Sequence, residues 1–189
     1  MRKLLTGNEA VAEGALAAGC NFYAGYPITP SSEIMHYMAR ELPKRGGVFI
    51  QSEDELAAIN MVVGAALAGA KAMTATSGPG FSLMQEGIGY AVMVEAPVVL
   101  VNVMRAGPAT GQATKSAQGD VMQARWGRHG DQYVVVLAPS DPQEAFDLTV
   151  KAFSIAEELR VPVVVLTDEF IGHGREVVEV PENVEVPSR

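Results

Sequence analysis

The sequence predicts an α/β fold, a doubly wound parallel sheet of about six strands with helices on both faces. Six short runs rich in β-branched residues are mostly continuously apolar, which is typical of strands covered on both faces. Segments of helical length and pattern lie between most of these runs. The chain has 189 residues, of which 48% are hydrophobic and only 6% aromatic, a composition that suits one domain of packed βαβ units.

The individual elements follow in order along the chain. The predicted strands are residues 22–27, 47–51, 71–77, 97–103, 133–138 and 162–167. The predicted helices each begin near a capping or turn residue and cover residues 7–18, 31–42, 52–70, 81–94 and 142–159. Residues 104–132 are polar, rich in glycine and too long for an ordinary connection, so this segment is either functional or mobile. We predict one domain over residues 1–174, then an edge strand and a linker or tail over residues 175–189.

Composition excludes several classes of protein. The net charge of −8 argues against a protein that binds the phosphate backbone of nucleic acid, because such binding requires a cationic protein surface. A single cysteine, Cys20, provides no internal disulfide and no cysteine-ligated cluster. No apolar run reaches membrane-spanning length, and the first residues lack the apolar stretch of a signal peptide. We therefore expect a cytoplasmic protein that binds neither nucleic acid nor membrane.

Four distinctive loops follow the first four predicted strands. If the sheet is parallel, all four lie at its carboxyl edge, where open α/β sheets bind ligands. The loops contain the sequences GYPITPSSE, QSEDE, TSGPGFS and MRAGPATGQATKSAQGD.

The first loop has two interpretations. Pro27 and Pro30 make it stiff and extended, and Ser31 is placed to cap the following helix, so it is at least a well-formed turn. The functional alternative is that the rigid loop directs the Thr29 hydroxyl towards a ligand.

The third and fourth loops are also open to two interpretations. Gly78 and Gly80 flank a proline, which permits a tight turn or a close approach of ligand, but the loop matches no Walker or dinucleotide-binding pattern. The fourth loop and the residues after it concentrate cations in an acidic protein, which suits an anionic ligand. Arg105 is the strongest candidate because it ends its predicted strand at the ligand edge. The roles of Lys115, Arg125, Arg128 and His129 stay open.

Glu55 is the most informative residue of the second loop. Ser52 and Glu55 have the spacing of a capping box, which explains the local composition without any function. Capping does not explain burial, because Ile59 and Val62 share the helix face of Glu55 and the rest of the helix is apolar. A buried carboxyl requires a hydrogen-bonding partner, and burial raises its pKa.

Three segments together resemble the α subunit of 2-oxoacid:ferredoxin oxidoreductases, most closely the 2-oxoglutarate synthases. They are GYPITPSSE, EDELAAINMVVGAALAGAKAMTATSGPGFSLMQEGIGYA and RAGPATGQATKSAQGDVMQARWGRHGD. The resemblance covers about residues 7–175. It implies a thiamine diphosphate pyrimidine-binding domain in an enzyme that decarboxylates a 2-oxoacid oxidatively, forms an acyl-coenzyme A and passes electrons to ferredoxin.

The resemblance also implies roles for individual residues. Glu55 is expected to hydrogen-bond N1′ of the cofactor's aminopyrimidine and to be the catalytic residue. Thr29 and Arg105 are expected near the substrate. The remaining cofactor-binding residues that it implies are Tyr26, Pro27, Ile28, Ser77, Gly78 and Pro79.

The sequence departs from the family pattern in what it lacks. It has no G-D-G motif for the diphosphate and Mg²⁺, and one cysteine cannot hold an iron–sulfur cluster. We therefore expect thiamine diphosphate to be shared with a β subunit, with Mg²⁺ and the clusters on partner chains only, in a hetero-oligomer that is inactive without them. Two alternatives stay open: the pyrimidine-domain subunit of a non-oxidative thiamine-dependent decarboxylase, or a non-catalytic assembly protein of the same fold.

Overall fold

The computed structural model describes residues 1–181 and 184–187. Its strands are β1 (Arg2–Thr6), β2 (Phe22–Gly25), β3 (Val48–Gln51), β4 (Ala72–Thr76), β5 (Val98–Met104), β6 (Val135–Leu137), β7 (Val163–Asp168) and β8 (Arg175–Glu179). Its α-helices are α1 (Gly7–Ala17), α2 (Ser32–Glu41), α3 (Glu55–Leu67), α4 (Gly78–Leu83), α5 (Gln85–Met93), α6 (Val121–Trp126), α7 (Pro142–Leu159) and α8 (Glu169–His173), and a 3₁₀ turn covers Pro43–Arg45.

The main sheet confirms the predicted fold class. Within the described residues it has six strands in the order β3-β2-β4-β5-β7-β6, and each neighbouring pair is parallel. Alternate strand residues face opposite layers: Val99 packs in a core with α1, α2 and α7, whereas Leu100 packs in a second core with α3, α4 and α5. The sheet is therefore covered on both faces, which explains why its strands are continuously apolar.

The direction of winding reverses between β2 and β4. The chain passes from β2 to β3, which is its neighbour on one side, and then crosses over to β4, which is the neighbour of β2 on the other side. β2 and β4 pair only at Phe22–Ala72 and Tyr23–Met73, whereas β4 and β5 pair over five residues. The carboxyl ends of β2 and β4 are thus not joined by the ladder, and such a switch point is where open α/β sheets form their ligand crevice.

A second, two-stranded sheet consists of β1 and β8, which pair antiparallel from Arg2–Glu179 to Thr6–Arg175. The strand expected after residue 174 is thus present, but it does not extend the edge of the main sheet, and its partner β1 was not predicted. The expected linker or tail includes residues 182–183 and 188–189, which lie outside the described residues. The domain boundary at residue 174 stays a prediction.

Several helix limits differ from expectation. The helix predicted over residues 52–70 begins only at Glu55 and ends at Leu67. The helix predicted over residues 81–94 is two helices, α4 and α5, and the first starts three residues earlier. The short helices α6 and α8 were not predicted. None of the helices in residues 1–181 and 184–187 is both long enough and apolar enough to cross a bilayer.

Candidate active site

The four loops singled out in the sequence lie together at the carboxyl edge of the sheet. They follow β2, β3, β4 and β5, which are neighbours in the sheet and parallel to one another. The switch point between β2 and β4 lies among them. The expected convergence of these loops is therefore present, at the place where this fold binds ligands.

Glu55 begins α3, but it is not part of a capping box. The residue that caps the helix is Asp54, whose Oδ1 accepts a hydrogen bond of 2.7 Å from the backbone N–H of Ala57. Ser52 uses its hydroxyl to donate to the carbonyl of Asp54, at 2.9 Å. The capping interpretation of Ser52 and Glu55 was therefore wrong. Because Asp54 supplies the cap, the position of Glu55 needs another explanation.

The Glu55 side chain is buried, as its apolar helix face predicted. Only 5% of the residue is exposed, and Ile59, Val62 and Ala66 on the same face are fully buried. Burial raises the pKa of the Glu55 carboxyl, and the Asp54 carboxylate raises it further. A hydrogen bond from the backbone N–H of Glu55 and the charge of Arg105 act in the opposite direction. The raised pKa favours a carboxyl that holds a proton, as a proton-exchanging group requires.

Gly80 and Thr76 form the wall against which the Glu55 carboxyl packs. A Cβ at residue 80 would lie 2.5 Å from Glu55 Oε1 and 2.2 Å from Thr76 Oγ1, distances that real Cβ atoms do not adopt. Residue 80 must therefore be glycine for this arrangement to exist. The sequence analysis did not assign either residue to the site, although the second glycine of TSGPG was a signal of close approach.

Arg105 joins the first and fourth loops. Its Nη1 donates to the carbonyl of Thr29 at 2.8 Å, and its Nη2 donates to the carbonyl of Thr110 at 2.6 Å. Arg105 is only 8% exposed, and its Nε has no hydrogen-bond partner among the described residues. The ion pairs found among those residues do not include Arg105. The site thus contains a buried cation that uses two of its five N–H groups on backbone carbonyls, so donor capacity remains for an anion.

The first loop is held mainly through its carbonyl groups. Arg105 donates a hydrogen bond to the carbonyl of Thr29, and the Asn8 amide donates one of 2.8 Å to the carbonyl of Pro30. Ser31 is the N-cap residue of α2, as expected, but its hydroxyl makes no cap bond and donates instead to the carbonyl of Ile28 at 2.9 Å.

The predicted ligand-binding side chains of this loop remain accessible. Tyr26, Pro27 and Thr29 are exposed, and Ile28 is half-buried. The loop backbone is therefore fixed while the side chains expected to meet a ligand still face outwards.

A groove of about 640 Å³ lies between the start of α4 and the loop after β5. Its walls include Gly78, Pro79, Arg105 and Asp120. Gly78 has a φ of +34°, and a Cβ there would lie 3.5 Å from Arg105 Cγ. The predicted residues Gly78, Pro79 and Arg105 therefore share one groove, whereas the Glu55 carboxyl lies next to Gly80.

Two side-chain bonds hold the loop after β5 over the edge of the sheet. The buried Asn102 amide donates to Asp120 at 2.8 Å, and Gln118 donates to Asp168 at 2.7 Å. Sequence reasoning missed Asn102 and Asp120, because a single asparagine in an apolar strand gives no signal of its partner.

The other cations of this region, unlike Arg105, are not among the charges that shift the pKa of Glu55. Arg125 stacks over the Trp126 ring at 3.9 Å, and Lys115 and His129 are exposed. These positions assign none of the three to the groove beside Arg105.

Arg128 ties α6 to α5. It donates to the Gln85 side chain at 2.6 Å and to the carbonyl of Ala124 at 3.0 Å, and a further bond joins it to Gln132. Burial, followed by the charge of Arg125, lowers the pKa of Arg128 to about 10. These contacts make Arg128 a structural residue of this layer.

The residues at the switch point fit the pyrimidine half of a thiamine site better than a metal site. They offer a buried carboxyl with a raised pKa and a buried guanidinium with an unused N–H. Within the described part of the chain, no group of three or more His, Cys, Asp or Glu residues is placed to hold a metal ion.

Comparison with known proteins gives a consistent result. Residues 13–188 match the family model described as pyruvate flavodoxin/ferredoxin oxidoreductase, thiamine diphosphate-binding. The chain is 62% identical, over 98% of its length, to the 2-oxoglutarate synthase subunit KorA of Archaeoglobus fulgidus. It is 52% identical, over 95% of its length, to the ketoisovalerate oxidoreductase subunit VorB of Methanothermobacter thermautotrophicus. It covers 54% and 51% of these two relatives, so it spans about half of their length.

A solved structure is similar over the entire chain. The 2-oxoglutarate:ferredoxin oxidoreductase from Magnetococcus marinus, with 2-oxoglutarate, coenzyme A and succinyl-CoA bound, superposes with a TM-score of 0.96 at 40% identity. The match covers 100% of this chain and 33% of that one. The fold of the described residues is therefore that of one part of a larger enzyme.

Proposed function

Since the chain belongs to the thiamine diphosphate-binding family of pyruvate flavodoxin/ferredoxin oxidoreductases, we propose that it supplies the pyrimidine half of the active site in a 2-oxoacid:ferredoxin oxidoreductase. The reaction is the oxidative decarboxylation of a 2-oxoacid with coenzyme A as acyl acceptor and ferredoxin as electron acceptor. The substrate is 2-oxoglutarate. The relatives named 2-oxoglutarate synthase are 57–62% identical to this chain, above the 49–52% of those named for ketoisovalerate.

The burial of Glu55 is the observation that carries the proposal. When bound, thiamine diphosphate supplies the nucleophilic carbon that attacks the 2-oxo group and accepts the electrons left after CO₂ is lost. Glu55 holds a proton on its carboxyl and exchanges it with N1′ of the aminopyrimidine, which sets the tautomer of that ring. The buried position and raised pKa of Glu55 suit this role, because both make its carboxyl easier to protonate than a solvated one.

Arg105 binds the substrate in this proposal. Two of its five N–H groups are fixed on backbone carbonyls, so the guanidinium is preorganised, and the remaining N–H groups are left for a carboxylate oxygen. Thr29 lies next to it with an exposed side chain, and directs its hydroxyl to the same ligand. Tyr26, Pro27, Ile28, Ser77, Gly78 and Pro79 line the approach to the cofactor ring.

The other half of the site belongs to a partner. These 189 residues contain no G-D-G motif and only one cysteine, and we assign the diphosphate and Mg²⁺ to a β subunit and the iron–sulfur clusters to partner chains. We assign the working enzyme to the cytoplasm, as a hetero-oligomer. We expect calorimetry on this chain alone to detect no tight binding of thiamine diphosphate, and micromolar binding would contradict the division of the site.

Substitution of Glu55 in the whole enzyme tests the catalytic proposal. Glu55→Gln should assemble normally and lower the rate of ferredoxin reduction, measured with 2-oxoglutarate and coenzyme A, by about 10²–10⁴-fold. The matched control is Glu53→Gln, because Glu53 is an exposed carboxylate in the same loop. Full activity of Glu55→Gln in an assembled complex would instead support a non-catalytic subunit.

The same assay decides between reactions and between substrates. The proposed enzyme should require coenzyme A and should reduce ferredoxin as it forms its product. A non-oxidative decarboxylase would do neither and would release a free aldehyde. A higher kcat/KM for ketoisovalerate than for 2-oxoglutarate would overturn the substrate assignment.

A further inference from the structure

Thr76 carries a buried hydroxyl that the fold leaves without a partner. It is the last residue of β4, it is fully buried, and its Oγ1 makes no hydrogen bond to any described residue. Leaving a buried hydroxyl unsatisfied costs about 1–3 kcal/mol, so such a group in a well-packed core needs an explanation. The nearest functional group provides one.

The hydroxyl and the Glu55 carboxyl face the same small space. Thr76 Oγ1 and Glu55 Oε1 lie 2.2 Å and 2.5 Å from the position that a Cβ would have at Gly80. Both oxygens therefore border the space that a side chain at residue 80 would fill, although no hydrogen bond joins them in this structure. Rotation about one side-chain bond directs the Thr76 hydrogen to different acceptors, since hydroxyl hydrogens rotate to suit their surroundings.

Asn102 offers the hydroxyl a second acceptor. It is the register partner of Thr76 in the β4–β5 ladder, so both side chains project from the same face of the sheet. The Asn102 amide nitrogen is occupied by Asp120, but its Oδ1 has no partner among the described residues. Thr76 thus has two neighbouring groups that can accept from it, a carboxyl that changes its protonation state and an amide oxygen that does not.

We propose that Thr76 is a positioning residue for Glu55: its hydroxyl donates to the carboxylate when Glu55 has given up its proton and turns away when the proton returns. The inference rests on the proposed function, because it assigns a role in the proton exchange at Glu55. Thr76 does not touch the cofactor in this scheme. It holds the carboxyl in one orientation within the slot that Gly80 leaves open.

Among the described residues, few charged groups act on the Glu55 carboxyl. The charged groups that act on this carboxyl are Asp54, immediately before it, and Arg105, after β5. The residues of β4 and α4 that face it, Thr76 and Gly80, carry no charge, and α3 contains no charged residue besides Glu55 itself. Removal of the hydroxyl should therefore be detectable against this background.

The first test measures the Glu55 carboxyl directly in the 189-residue chain. Glutamate labelled with ¹³C at the side-chain carboxyl is titrated by NMR, and the spectrum of Glu55→Gln assigns the resonance. Thr76→Val keeps the shape of the side chain without the hydroxyl and should raise the titration midpoint by about one pH unit, because a donor to the charged form is lost. Thr76→Ser should restore it. An unchanged midpoint in Thr76→Val would overturn the proposal.

The second test uses the whole enzyme. The acidic limb of the pH profile of kcat/KM should move to higher pH in Thr76→Val, with a loss of about tenfold at neutral pH, and should return in Thr76→Ser. A loss of activity without a shift of the limb, and without rescue by serine, would mean a purely structural role and would overturn the inference. Full activity of Glu55→Gln would instead remove the proposed function itself, so the two failures are distinguishable.

Discussion

Arg105 donates a hydrogen bond of 2.8 Å from Nη1 to the backbone carbonyl of Thr29, which lies 76 residues earlier in the chain. The bond fixes the loop after β2 to the end of β5 across the switch point of the sheet. The two residues expected near a substrate are therefore joined before any ligand binds. Because Arg105 is buried and bonds only two of its five N–H groups to carbonyls, the arrangement is preorganised for an anion rather than satisfied within the fold.

Arg105→Lys should impair substrate binding although it keeps the charge. A lysine has a single nitrogen and no planar fork, so it cannot reproduce the spacing of Nη1 and Nη2 on the two carbonyls and the fixed direction of the remaining N–H groups. We expect the KM for the 2-oxoacid in the whole enzyme to rise by about tenfold or more, which corresponds to the loss of a charge-assisted hydrogen bond. Lys115→Gln is the control, because Lys115 is exposed in the same loop. Equal KM values for Arg105→Lys and the unmodified enzyme would refute this role.

Gly80→Ala should damage the site, whereas Gly64→Ala should not. The added methyl group at residue 80 would collide with Thr76 Oγ1 at 2.2 Å and Glu55 Oε1 at 2.5 Å, whereas nothing lies within 4 Å of the corresponding position at Gly64. We expect Gly80→Ala to lower stability by about 1–3 kcal/mol and activity by more than tenfold. Gly64→Ala lies inside α3 and should raise stability by about 0.5–1 kcal/mol.

Thermal unfolding of both variants, together with ferredoxin reduction by the assembled enzymes, checks this pair. Similar behaviour of the two alanine variants would mean that the slot around Glu55 adapts, and that residue 80 does not fix the carboxyl.

The sheet was predictable because its strands carry their own signal. Strands buried on both faces require continuous apolar runs, and the ordering of strands and helices then gives a parallel sheet. β1 was missed because it contains Arg2 and Lys3 and is paired only with β8 at the far end of the chain. Such pairing depends on tertiary contacts, and a local sequence pattern does not report them.

The candidate site was predictable only in part. The burial of Glu55 followed from the apolar face of α3, but the choice between Ser52 and Asp54 as cap did not, because both residue types cap helices well. The contact of Arg105 with Thr29 joins distant segments, and no local spacing encodes it. The polar groups at Thr76 and Asn102 acquire meaning only from what surrounds them.

Cys20 should be almost inert towards alkylating reagents while the chain is folded. Burial is the main cause that raises the pKa of its thiol, from 9.0 to about 12, and only 5% of the residue is exposed. At pH 8 the thiolate fraction is then about a thousandfold lower than for an exposed thiol, in addition to the loss of access. Mass spectrometry after iodoacetamide treatment should find labelling only at the rate of unfolding. Rapid labelling of folded chain would contradict the burial of Cys20.

Glu55→Gln should stabilise the isolated chain, and by more at high pH than at low pH. The pKa of this carboxyl is raised above its ordinary value of 4.5 in the folded state, so between the two pKa values the folded chain binds more protons than the unfolded chain. Stability therefore falls as pH rises through that window, and the loss is complete above the folded pKa. Glutamine carries no charge, so the Glu55→Gln chain does not lose this stability as pH rises.

The measurement is the Tm of both chains from pH 4 to pH 8. Each 1 kcal/mol should appear as a difference of about 2–4 °C for a chain of this size. Glu53→Gln, at an exposed position, should show no such widening difference. Parallel Tm curves for Glu55→Gln and the unmodified chain would mean that the carboxyl is as well solvated in the folded state as in the unfolded one, and the basis for its proton exchange at neutral pH would be lost.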